Sequence, residues 1–91
     1  GIAKPENAEP VDIILSFDYS EGKLIKTIPF HPTQEIIDEN NEEIRIKIKV
    51  FYSGEYYTSR ELIREINKWG KNVRVIEPQD LNEKVREMRE R

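Results

Sequence analysis

One uninterrupted alternation of apolar and basic residues constrains the fold of this chain more than any other stretch. It runs from Ile44 to Val50 without a break. A period of two places apolar side chains on one face of a strand and basic side chains on the other. The apolar face holds Ile44, Ile46, Ile48 and Val50, and the basic face holds Arg45, Lys47 and Lys49. Because β-branched residues suit a half-buried pleated surface, we expect a strand near the middle of a sheet.

Length and composition exclude several classes of protein. The chain has 91 residues, a net charge of −3 and no cysteine. This length makes one domain, and an acidic balance argues against a general nucleic-acid binder. Without cysteine there is no disulfide, thiolate metal site or cysteine nucleophile. The sequence shows no apolar run long enough to span a membrane and no signal peptide, so we expect a cytoplasmic protein without membrane contact.

Seven further segments can be placed along the chain. Residues 1–10 are rich in proline and glutamate, and they read as a linker from a preceding domain, followed by one domain over residues 11–91. The other strands are predicted over residues 11–17, 35–38 and 72–76. Helices are predicted over residues 19–27, capped by Ser20, over 58–70, closed by Gly70, and from Asp80 as a capping residue onward.

This order predicts an α+β fold. A β-α-β-β-α-β series with right-handed crossovers favours a ferredoxin-like sandwich, with an antiparallel sheet in the order 4-1-3-2 and two helices on one face. The terminal helix is an addition to that pattern. In this layout we expect the 11–17 and 44–50 strands side by side at the centre, parallel to each other. Trp69 and Met88 stand at helical core spacing, so we expect them to pack in the core rather than line a ligand pocket.

The residues indicate no catalytic or metal chemistry. His31 is the single histidine and has no nearby acid on its own segment. A metal site needs a cluster of ligands, and no spacing here suggests one. The serines do not stand in a nucleophile-elbow pattern, and the glycines do not form a phosphate loop. We therefore expect no enzyme activity and no cofactor.

Two surfaces are candidates for contact with partners. The loop from Phe51 to Tyr57 carries four aromatic residues, a type enriched at interface centres. The basic face of the 44–50 strand is either solvated, a protein contact or an anion-binding face. RNA-recognition motifs share the expected fold and stack bases on strand aromatics, but neither central strand shows such a pair on its open face.

Several motifs together resemble those of a known family. Residues 28–34, Ile-Pro-Phe-His-Pro-Thr-Gln, resemble the Pro-apolar-His-x-Ser/Thr-Gln segment of the WCX domain, the C-terminal extension of WYL-domain proteins. The helix that ends at Trp69-Gly70, the Val73–Pro78 segment and Leu81 follow in the same order as in that family. The residues 1–17, Gly-Ile before a spacer and the first strand, resemble the junction after a WYL domain.

The resemblance implies a function for the chain. WCX domains have ferredoxin-like folds and end bacterial transcription regulators that carry a winged helix-turn-helix and a WYL domain. The implied role is a non-catalytic regulatory and dimerisation module. Such a module forms a homodimer and contacts the WYL domain. DNA is bound only through the helix-turn-helix, which this chain lacks. The residues expected at such contacts are His31, Gln34, Tyr52, Tyr56 and Tyr57. The alternative is an effector-sensing domain that binds a nucleotide, single-stranded nucleic acid or small anion through Arg45, Lys47 and Lys49.

Overall fold

The fold is defined by a computed structural model of the chain. It describes residues 9–52 and 60–89, and the side chains of residues 11–50 and 62–87. The strands are β1 (Glu9–Asp18), β2 (Glu35–Glu39), β3 (Glu43–Tyr52) and β4 (Val73–Glu77). The helices are α1 (Tyr19–Gly22), α2 (Arg60–Asn67) and α3 (Gln79–Arg89), and short 3-10 turns span Lys23–Lys26 and Gly70–Asn72.

The four strands form one antiparallel sheet in the order β2-β3-β1-β4. Together with the helices this is an α+β fold, as predicted from the sequence. The prediction that β1 and β3 run parallel is wrong, because they pair antiparallel along their whole length. β1 and β2 run parallel to each other on either side of β3, and the tight connection between β2 and β3 reverses the chain, so β3 runs opposite to both.

The alternating patterns of β1 and β3 meet in the core as predicted. Each inward residue of one strand faces an inward residue of the other, as in the cross-strand pair Leu15 and Ile46. These side chains are fully buried, whereas Val50 at the end of the row is only partly buried against the core. The fully buried pairs are Ile13 with Ile48, Leu15 with Ile46, and Phe17 with Ile44.

The helices cover the same side of the sheet. Ile63 and Ile66 of α2 and Leu81 and Val85 of α3 belong to one hydrophobic cluster with the inward residues of the strands. Trp69 packs partly buried against this cluster, which confirms its predicted place in the core. Its ring meets Phe17 edge-on at 4.9 Å between centroids. The side chain of Met88 lies outside the described residues.

The segment after β1 differs most from its prediction. A continuous helix capped by Ser20 is wrong: the α-helical part begins at Tyr19, and the preceding Asp18 makes no side-chain capping bond. Only Ile25 of the predicted apolar stripe is buried, because a single turn followed by a 3-10 turn cannot present a full helical face. Gly22 is buried against β1 and β3 instead of lying on a helix surface.

Where the structure describes them, the ends of the other two helices also differ from prediction. The predicted end of the second helix at Gly70 is wrong, because α2 ends at Asn67. Gly70 instead begins the following 3-10 turn, with φ +58, a left-handed conformation that suits glycine. The predicted start of the second helix at Thr58 and Ser59 lies outside the described residues. Asp80 is not a capping residue, because α3 begins one residue earlier at Gln79. Its carboxylate accepts a bond from the next backbone N–H, that of Leu81, at 3.0 Å.

Candidate interaction surfaces

The basic residues of β3 point to the open face of the sheet, and each of them has a carboxylate beside it. Lys49 Nζ is 3.9 Å from the carboxylate of Asp12 on β1. Lys47 Nζ is 3.8 Å from the carboxylate of Glu35 on β2. Both acids are the direct cross-strand neighbours of these lysines. The neighbouring strands therefore offset a charge that looks continuous when β3 is considered alone.

Arg45 takes part in a polar network that crosses three strands. Its Nε donates to Glu43, whose carboxylate also accepts from the hydroxyl of Ser16 on β1 at 2.9 Å. Arg74 on β4 donates to the Ser16 hydroxyl at 3.3 Å and to Asp18 at 3.1 Å. Ser16 is the centre of this network and is only 1% exposed. The network gives a buried hydroxyl both an acceptor and a donor, as burial of a polar group requires.

The same contacts shift the ionisation of the paired groups. The hydrogen bond from Arg45, followed by that from Ser16, lowers the pKa of the Glu43 carboxyl. The bond to Glu43 in turn raises the pKa of the Arg45 guanidinium. Both groups therefore stay charged and engaged with each other at neutral pH. A phosphate approaching Arg45 would have to compete with a carboxylate already bound to it.

A shallow depression lies on the open face beside the basic residues of β3. It has a volume of about 260 Å³ and is lined by Thr33, Glu35, Lys47, Ile48 and Lys49. Small-molecule sites are more often clefts of about 300–1,000 Å³ with mainly apolar walls. A carboxylate in the lining also opposes an anionic ligand. This depression is a poor match for a nucleotide pocket.

Gln34, predicted at an interface, is engaged within its own segment. Its side-chain oxygen accepts bonds from the backbone N–H groups of Phe30 at 2.6 Å and His31 at 3.3 Å. Its side-chain nitrogen donates to the carbonyl of Ile25 at 3.0 Å. One amide therefore holds both ends of the loop that leads into β2. The role visible in these contacts is to fix the backbone of the connector.

His31 and Thr33 anchor the same connector to β3. The Thr33 hydroxyl accepts from the backbone N–H of Lys49 at 2.8 Å, and its own proton has two acceptors within reach, the Lys49 carbonyl at 3.2 Å and His31 Nδ1. His31 Nδ1 accepts from the Thr33 backbone N–H at 3.1 Å and lies 2.8 Å from the Thr33 hydroxyl. With Nδ1 as acceptor, the neutral imidazole carries its proton on Nε2. Burial lowers the pKa of His31, so this neutral form prevails at pH 7.

This arrangement predicts a pH dependence of stability. The pKa of His31 in the folded chain lies below its ordinary value of 6.5, so the unfolded chain binds the proton more tightly. The contribution of His31 is complete above pH 6.5 and is lost as the pH falls from there through the folded-state value. We expect the free energy of unfolding, measured with urea, to decrease over this window.

The variant His31→Asn is the matched control, because the asparagine oxygen can accept near the position of Nδ1 and does not titrate. Its unfolding free energy should change less than that of the wild type between pH 7 and pH 5. The pKa of Glu43 is lowered from 4.5, so this carboxyl titrates below the pH range over which the two proteins are compared. Equal pH dependence in the two proteins would contradict the role assigned to His31.

The remaining predicted contact residues cannot be placed. Tyr52 ends β3, but its side chain is outside the described ones, and Tyr56 and Tyr57 lie outside the described residues altogether. The predicted interface in this loop stays a prediction. The structure thus gives positions for His31 and Gln34, which share one connector, and for Arg45, Lys47 and Lys49, which share one strand face.

Sequence reasoning missed three of the residues that organise these surfaces. Ser16, Thr33 and Arg74 look unremarkable in the sequence, and their contacts depend on which strands are neighbours. Of the three, only Ser16 could have been noticed in the sequence, because it is a small polar residue within a strand of large apolar ones. Such a residue is compatible with burial only if it finds hydrogen-bond partners.

The described residues hold no metal cluster, no unpaired buried polar side chain and no membrane-spanning helix. Within residues 9–52 and 60–89, no group of three or more histidine or acidic side chains is arranged to hold a metal ion. In the same part of the chain, every buried side-chain nitrogen and oxygen has a hydrogen-bond partner. None of the helices described is both long enough and apolar enough to cross a membrane.

Comparison with known proteins identifies the family. No curated protein matches the chain. A family model described as the WCX domain matches residues 9–91 and so covers every element of the fold, from β1 to α3. The chain therefore belongs to the WCX domain family.

Proposed function

We propose that this chain is a non-catalytic regulatory and dimerisation module, the C-terminal part of a WYL-type bacterial transcriptional regulator in the cytoplasm. The observation that carries the proposal is the WCX family match over residues 9–91. The strand order and the single helical layer also support a sandwich of the ferredoxin-like type. In this role the domain forms a homodimer and contacts a WYL domain, and DNA is bound by a helix-turn-helix elsewhere in the regulator.

Self-association of the chain tests the proposal. Sedimentation velocity from low micromolar to near-millimolar concentration should show a monomer–dimer equilibrium, because dimer formation follows mass action. The expected result is a weight-average mass that rises to twice that of the monomer, which is 10.8 kDa. A mass that stays at the monomer value throughout would contradict autonomous dimerisation.

The contacts on the open face argue against the effector-binding alternative. Each of Arg45, Lys47 and Lys49 has a carboxylate within its reach, so a phosphate chain would meet alternating charges. Nucleic-acid binding without base stacking depends on uncompensated basic charge and is strongly weakened by salt. The geometry therefore favours a solvated or protein-contacting face over a nucleic-acid surface.

Titration with short single-stranded oligonucleotides at low salt checks this prediction. We expect no saturable binding, and no difference between the wild type and Lys47→Glu. Glu35→Gln is the matched control. It removes the carboxylate beside Lys47 and leaves Lys47 itself and the strand pairing unchanged. Saturable binding by the wild type that Lys47→Glu abolishes would favour the effector-binding alternative instead.

A further inference from the structure

We draw no further inference here: the strongest candidate, the exposed apolar flank formed by the segment after β1 together with the outer strand β2, carries nothing, because the ion pairs beside it close within the chain and nothing among the described residues shows what covers it.

Discussion

Replacing Phe17 with alanine should reduce the free energy of unfolding by about 3–5 kcal/mol, the range for a buried phenylalanine. Phe17 is fully buried, and its ring meets both Trp69 and Phe30 edge-on, with centroids 4.9 and 5.6 Å away. A domain of 91 residues has roughly 5–14 kcal/mol of stability in total. The loss is therefore a large share of the whole, and urea unfolding with tryptophan fluorescence measures it.

Tyr19→Ala is the matched control for this variant. It also deletes an aromatic ring, but from an exposed position two residues further on. Surface substitutions usually change stability by about 0.5 kcal/mol or less. Phe17→Leu should fall between the two, because it keeps most of the apolar volume. A loss below about 1 kcal/mol for Phe17→Ala would show that the ring is not part of the core.

Replacing Gly22 with alanine should destabilise the domain by about 1–3 kcal/mol, the range for overpacking a core. A Cβ atom at Gly22 would come within 2.8 Å of the Cβ of Phe17 and 3.5 Å of Ile44. The Phe17 Cβ belongs to the root of its side chain, so rotation of the ring cannot relieve the contact. Helix propensity alone predicts the opposite sign, a gain of about 1 kcal/mol for alanine over glycine.

Ser20→Ala in the same turn is the control for Gly22→Ala. Ser20 is exposed, so the substitution should have little effect on urea unfolding. If Gly22→Ala proved as stable as the wild type or more stable, propensity would outweigh packing at this position. The assignment of Gly22 as a close-approach residue between α1 and the central strands would then be wrong.

The strands were predictable because their signal is local. The alternation in β1 and β3 depends only on which residues stand two positions apart, and burial of one sheet face follows from it. The segment after β1 was not predictable in the same way. Leu24, Ile25 and Ile28 resemble one helical stripe, yet only Ile25 is buried, because one α-helical turn followed by one 3-10 turn does not present a continuous helical face.

The surfaces were harder to predict than the fold, because they depend on cross-strand register. The basic face of β3 is evident from the sequence, but the acids that offset it come from other strands, Asp12 from β1 and Glu35 from β2. Which acid stands beside which lysine is fixed only once strand order and register are known. The loop residues Tyr56 and Tyr57 lie outside the described residues, so their predicted contact still awaits a direct test.

The bond between Thr33 and Lys49 limits where this domain can change in length. Thr33 stands two residues before Glu35 and continues its register with β3, so its hydroxyl meets the backbone of Lys49 on both sides. Insertion of a single residue between Thr33 and Glu35 would separate the hydroxyl from that position. Related chains should therefore keep a constant spacing between these two residues.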